Sequence, residues 1–358
     1  MRITQVISDE NIGGAGILLS SVTGGLSGEY DFEILLPKGS ALISRLPKGV
    51  RITPFPMHGG NSLVDVPRFL QYFREHPCDV LHTHATFSAR LAGAMAGITR
   101  LYSTRHCAMG SHSTPPLYST LYNRVTSLTV ATACAAAEEL EAEGVPKKKI
   151  RVIYNGVSET PRLTSAEKRA ALKALSLSEK DTVIGCCGRL ERVKGQDLLI
   201  EAAAMLAPRF PSLRLLFVGT GSEEKNLISL AERLGISERV RFVGYTPLPY
   251  TYQNLFTLNA NPSRGTETSC LATSECAALG IPTVASDFGG NRECVAHEVS
   301  GLLFKSEDAS ALAAAIERVL TDAELKRLLC KGARRRYEAM FTLSHMLEGY
   351  RRLYAENS

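Results

Sequence analysis

The hydrophobic pattern of this chain switches repeatedly between two periods. The runs RITQVIS from residue 2, DVLHTH ending at His84, RLYSTRH ending at His106 and KIRVIYNGV from residue 149 read as strands. Between them lie stretches such as SARLAGAMAG, whose small apolar residues recur at helical spacing. The same alternation resumes after residue 181. TVIGCCGRL, LRLLFVGTG, RVRFVGY and TLNANPS read as strands, and QDLLIEAAAMLA and SEEKNLISLAERLG as helices. A further helix is expected from about Asp308 to Thr321. A last one, from about Thr342 to Tyr354, carries Leu343, Met346, Leu347, Tyr350, Leu353 and Tyr354 as an apolar stripe. Strands alternating with helices predict parallel sheets in an α/β fold.

The segment SETPRLTSAEKRAALKALSLSEKD separates the two sets. It is polar and lacks a strand pattern, which fits a connector followed by the first helix of a new domain. At 358 residues the chain exceeds one ordinary core. We therefore expect two Rossmann-like domains, residues 1–160 and 161–340, facing across a cleft, with residues 341–358 as a terminal helix.

Composition narrows the class. Hydrophobic content of 44% and charged content of 22% are those of an ordinary globular protein. No apolar run approaches the roughly 18 residues of a membrane span, and the N-terminus lacks the apolar core of a secretory signal. The cysteines number nine, an odd count, and are never spaced C-x-x-C. That pattern argues for reduced thiols in a cytoplasmic setting, against a disulfide framework and against a zinc site.

The net charge of +5 is unevenly spread. Residues 34–137 hold ten cations (Lys38, Arg45, Lys48, Arg51, Arg68, Arg74, Arg90, Arg100, Arg105 and Arg124) against Asp65, Glu75 and Asp79. Such a surface suits a phospholipid face or a phosphorylated acceptor. The same residues are equally consistent with scattered surface arginines, since they form no polybasic run. No nucleic-acid partner is expected.

Chemistry concentrates at the ends of the predicted strands, where ligands sit in open α/β sheets. A glycine loop, Gly13-Gly14-Ala15-Gly16, follows the first strand, but without the G-x-G-x-x-G spacing of a dinucleotide site. Gly219-Thr220-Gly221 also lacks a third glycine and reads as a tight turn. Arg189 and Lys194 straddle a strand-to-helix loop, where a guanidinium fork and an ammonium could stabilise charge on a departing phosphate. His82, His84 and His106 end two strands. His82 suits a packed role and His106 a functional one, while a metal reading needs further ligands and finds only His112. Glu267 and Glu275 flank a predicted helix start, where carboxylates can accept hydroxyl hydrogen bonds and helix amides can receive phosphate.

In combination, the Gly13-Gly14 loop, DVLHTH, STRH, VIYNGV, GRLERVKGQDLLIEA, LLFVGTGSEE, VRFVGY and the E-x7-E segment followed by DFGGNRE resemble a retaining glycosyltransferase of family 4. The resemblance runs in order from about residue 3 to the last helix. It implies the GT-B fold, a nucleotide-sugar donor and no metal or other cofactor. By this resemblance Gly188, Arg189 and Lys194 lie at the donor diphosphate, with Arg189 and Lys194 its two cations. Glu275 grips the nucleotide ribose, Glu267 lies at the donor sugar, and the amides of Cys270 and Leu271 meet the diphosphate. Gly244 and Tyr245 line the base, Gly14 approaches the phosphate, and His106 matches the active-site histidine of the acceptor domain. Ser269-Cys270 stands where the family commonly has an aromatic-glycine pair, and Arg264-Gly265-Thr266 precedes Glu267 in place of apolar and aromatic residues.

The implied function is transfer of a sugar, from a UDP-sugar, to a hydroxyl of a saccharide or lipid-linked acceptor with retention of configuration. The implied setting is bacterial envelope polysaccharide or glycolipid synthesis, in the cytoplasm or peripherally at the inner membrane face. The implied catalytic set is His106, Arg189, Lys194 and Glu267. A nucleotide-sugar epimerase or hydrolase of the same fold would need an added acid or base in the cleft. A non-catalytic glycan-binding partner would tend to lose the charges that are present here.

Overall fold

The computed structural model describes residues 1–10, 13–106, 116–265, 267–268 and 271–356. The chain forms two compact units, Met1–Asn155 together with Leu343–Ser358, and Gly156–Thr342.

In the first unit, β1 (Arg2–Ile7), β2 (Asp31–Pro37), β3 (Arg51–Phe55), β4 (Val80–His84), β5 (Arg100–Arg105), β6 (Leu128–Ala131) and β7 (Ile150–Val152) build one parallel sheet. Its order is β3-β2-β1-β4-β5-β6-β7. Successive side chains of a strand point to opposite faces, and the sequence uses this to bury both. Ile3, Ile7, Ile34, Leu36, Val80 and Tyr102 pack with Leu18, Leu19 and Val22 of the helix Gly14–Leu26. Met346, Tyr350, Leu353 and Tyr354 of the last helix, Leu343–Ala355, complete that layer. Val6, Leu35, Leu81 and Leu101 face the other way, onto Phe69 and Phe73 of the helix Val66–Glu75 and Ala89 and Ala92 of the helix Phe87–Met95.

The second unit repeats the plan with β8 (Thr182–Cys187), β9 (Leu213–Val218), β10 (Val240–Phe242), β11 (Leu258–Asn261), β12 (Thr283–Ser286) and β13 (Gly301–Phe304). Their order is β10-β9-β8-β11-β12-β13, again all parallel. Ile184, Leu215 and Phe217 pack on Leu199 and Leu206 of the helix Gln196–Leu206 and on Leu312 and Ile316 of the helix Ala309–Thr321. On the other face Phe256 lies over Gly185, where an added Cβ would sit 2.1 Å from the ring.

Both orders are doubly wound. The chain reverses direction across the sheet between β1 and β4 and between β8 and β11, and ligands of such sheets bind outside the carboxyl ends of the strands at those switch points. No helix among the described residues is long and apolar enough to cross a membrane.

Candidate functional site

In the second unit the switch point is where the sequence motifs converge. β8 ends at Cys187, so Gly188 and Arg189 leave its carboxyl end, and a short 3-10 turn, Arg192–Lys194, carries Lys194 over the strand ends. β11 ends at Asn261, and the following loop brings in Glu267. Lys194 Nζ donates to Glu267 Oε2 at 2.9 Å, and Ser263 Oγ donates to the same oxygen at 2.7 Å. The two charged side chains are largely buried, 22% exposed for Lys194 and 9% for Glu267. Arg189 stands more open, its Nη1 on Glu191 Oε1 at 2.6 Å, while Gln196 Nε2 holds its backbone carbonyl at 2.9 Å.

The backbone here is fitted by glycines. Gly195 takes φ +67°, and a Cβ there would lie 2.1 Å from the Pro262 carbonyl oxygen. After β12, Gly290 approaches so closely that a Cβ would come within 1.4 Å of the Thr268 oxygen, and its N–H donates to the Glu267 carbonyl at 3.1 Å. Ser286 Oγ donates to the Ser263 carbonyl, and Asn291 Nδ2 donates to Ser286 Oγ at 3.0 Å. The carboxyl ends of β11 and β12 are therefore laced together beneath Glu267. The sequence reading did not single out Ser263, Ser286, Gly290 or Asn291. Their signal was the small and amide-bearing composition of NPS and DFGGN, which suits close backbone contact.

Glu275 lies on the helix Leu271–Ala278 and accepts from Gln253 Nε2 at 2.6 Å. Burial raises its carboxyl above the usual value, and the Gln253 bond opposes that rise. Gln253 itself is fully buried, and neither its position nor its role was anticipated. Leu271 opens this helix, whereas Ser269 and Cys270 lie outside the described residues. Gly244 has φ +78° and its carbonyl accepts from the Gly219 N–H at 2.9 Å; Tyr245 beside it is 57% exposed.

In the first unit, His84 ends β4 and His106 follows β5 directly. His84 Nδ1 and His106 Nε2 are 2.8 Å apart. Burial depresses the pKa of both, to about 4 for His106 and well below 6.5 for His84. His82 is buried too, between Tyr354 and Thr104, and held at about 3. His112, the fourth ligand of a metal reading, lies outside the described residues.

Two expectations need correction. The glycine loop is shorter than read: the helix begins at Gly14, so Gly14 and Gly16 belong to its first turn, and Gly16 closes on Leu42. The basic stretch is also partly consumed by the fold. Arg90 is buried, donating to Thr83 and Ser103 and lying over the Tyr122 ring. Arg100 binds the Tyr354 and Glu356 carbonyls at the end of the last helix, and Arg105 pairs with Glu143. None of the three is offered to an anionic partner.

Residues 167–336 match the family described as Glycosyl transferases group 1, and residues 12–160 match the one described as Glycosyltransferase Family 4. The Anabaena protein Alr3699/HepE, solved in complex with UDP, superimposes with a TM-score of 0.87 at 22% identity, over 99% of this chain and 100% of that one. Its complex with UDP-glucose gives 0.85 at 23%, over 99% and 100%. These define the fold as GT-B. Among sequences, a D-inositol 3-phosphate glycosyltransferase of Corynebacterium urealyticum is 30% identical over 79% of this chain and 74% of its own length. The chain belongs to the group 1 glycosyltransferases.

Proposed function

We propose that the chain is a retaining, family 4 enzyme that moves a sugar from a UDP-sugar to a hydroxyl of a saccharide or lipid-linked acceptor. The observation that carries this reading is the convergence of Arg189, Lys194 and Glu267 at the β8/β11 switch point. Two cations beside a buried carboxylate suit a ligand that joins a diphosphate to a polyhydroxylated ring. Lys194 and the more open Arg189 would meet the diphosphate and stabilise the negative charge that develops as it leaves. Glu267 would accept from sugar hydroxyls, and Glu275 from the ribose. Gly188, Gly14 and the amides of Cys270 and Leu271 would lie along the phosphates, with Gly244 and Tyr245 at the base.

His106 would face the reacting sugar, held neutral by burial. The acceptor hydroxyl attacks the anomeric carbon on the face from which the diphosphate departs, so configuration is kept. Its proton passes to the leaving phosphate oxygen. With two protein cations on the diphosphate, no metal ion is required in this scheme. The UDP and UDP-glucose complexes of the Anabaena protein support the donor class, and the relative's name supports a hydroxyl acceptor bearing an anionic group. An envelope acceptor at an anionic membrane face would use the remaining cations of residues 34–137.

A thermal-shift screen over a panel of nucleotide sugars tests the donor assignment, because a ligand stabilises the native state by an amount that grows with the logarithm of its concentration relative to Kd. A rise in Tm is expected with a UDP-sugar, and less or none in Lys194→Ala. No shift with any nucleotide sugar would contradict the reading.

A further inference from the structure

The strand alternation that builds the first unit also lines up a polar chain. Gln5 pairs in register with His82, Ile7 with His84, His82 with Tyr102 and His84 with Thr104. Gln5, His82, His84 and Thr104 therefore project to one face of the sheet, the face covered by the last helix. Tyr354 of that helix reaches down among them. Its hydroxyl accepts from Gln5 Nε2 at 2.8 Å and lies 2.9 Å from His82 Nδ1. His82 Nε2 is 2.8 Å from Thr104 Oγ1. From the other end of Gln5, Oε1 is 2.9 Å from His84 Nε2, and His84 Nδ1 is 2.8 Å from His106 Nε2.

These contacts impose an order on the protons. An amide oxygen only accepts, so His84 Nε2 carries the proton and donates to Gln5. A neutral imidazole has one N–H, so His84 Nδ1 must accept, and His106 Nε2 must be the donor. His106 then holds its single proton on Nε2, pointing inward, and its Nδ1 is the accepting nitrogen. Burial keeps all three histidines neutral, so the order is not erased by extra protons. The Gln5 amide is the decisive link. Turning it over would reverse the bonds from Gln5 to His106 and move the His106 proton to Nδ1; in the observed orientation its NH2 end donates to the Tyr354 hydroxyl.

We propose that Gln5, His84 and Tyr354 are positioning residues that fix His106 as its neutral Nε2–H tautomer. The inference rests on the reading of His106 as a site residue. It also gives the last helix a task beyond covering the sheet: one of its side chains sets the polarity of a ring that follows β5.

The test is long-range 1H–15N NMR on the full chain, labelled with 15N-histidine, at neutral pH and without donor. His106→Ala assigns its signals. The pattern of a neutral Nε2–H ring is expected for His106, and an Nδ1–H or doubly protonated pattern would overturn the proposal. Tyr354→Phe, checked for a cooperative melt, should let Gln5 turn, give His106 both tautomers and lower donor turnover roughly two- to tenfold, in line with one weakened hydrogen bond. An unchanged single tautomer in that folded variant would also overturn it. The two readings fail separately. Full turnover in His106→Ala would remove His106 from the site while leaving the tautomer as measured. A wrong tautomer with an inactive His106→Ala would remove only the positioning chain.

Discussion

Replacing Lys194 by Met deprives Glu267 of the ammonium 2.9 Å from its carboxylate. At an effective dielectric of about 20 that pair has a gross attraction of about 6 kcal/mol, most of it offset by desolvation of both ions. Breaking a buried pair on one side costs about 3–5 kcal/mol because the other charge stays buried. Here Lys194 is 22% exposed and Ser263 still donates to Glu267, so the net loss is smaller. We take it as about 2 kcal/mol, which for a unit of this size lowers Tm by roughly 4–8 °C. The double variant Lys194→Met/Glu267→Gln buries no lone charge and should recover at least half of that fall. Turnover should not recover. Both variants should lose about a hundredfold or more in kcat/KM, as expected when a donor to the developing charge is removed. The assays are differential scanning calorimetry and release of nucleoside diphosphate. A single variant that melts like the wild type, or a double variant that regains turnover, would refute the role assigned to the pair.

Other substitutions probe separate features. Glu275→Gln should weaken donor binding by about tenfold or more in calorimetric titration, the loss of a charged acceptor. It should also stabilise the unliganded protein at neutral pH. The Glu275 carboxyl is raised above 4.5, so its favourable contribution is present below 4.5 and lost as pH rises through the folded value. A variant that binds donor normally would exclude the ribose role. Gly290→Ala forces a Cβ against the Thr268 carbonyl and should lower both Tm and donor affinity, whereas Gly13→Ala meets nothing within 4 Å and should leave Tm unchanged. Equal melting of the two would show that the backbone beneath Glu267 is not as described. The buried histidines predict an acid-labile first unit. Their folded pKa values are depressed, to about 3 for His82 and about 4 for His106, so their stability is present above 6.5 and lost as pH falls through those values. Tm measured against pH should fall across that window, and less steeply in His84→Asn; identical slopes would show that His84 binds the same number of protons folded and unfolded.

What could be read from the residues alone was the part written in periodicity. RITQVIS, DVLHTH, TVIGCCGRL and LRLLFVGTG stand out because β-branched and leucine runs end in a polar or glycine-bearing segment. Three strands of the first sheet escaped notice. β3 contains Pro54 and lies at the sheet edge, where a missing amide donor is tolerated. β6 has only four residues, and β2 is a nearly continuous apolar run, FEILLP after Asp31, without period-2 alternation. The helix Ala323–Arg336 was also missed, since its run of arginines masks Leu325 and Leu329, which it buries together with Gly332 and Ala333.

The site divides in the same way. Arg189, Lys194, Glu267 and Glu275 were legible because charge at a strand end or a helix start is a local signal. Gln253, Ser263 and Asn291 were not, because what they do depends on partners 22, 4 and 5 residues away whose side chains only the folded loop brings near. Gln5 is the extreme case. Its partner Tyr354 is 349 residues distant, and only the parity it shares with His82 and His84 across paired strands marks it.

Sugar transfer with retention is tested most directly by the stereochemistry of the product. The wild-type protein would be incubated with the UDP-α-sugar selected by thermal shift and a hydroxyl acceptor, and the new linkage followed by 1H NMR from the first turnovers. An α-glycoside formed at the rate of UDP release is expected. A β-glycoside as the first product would contradict the proposed mechanism.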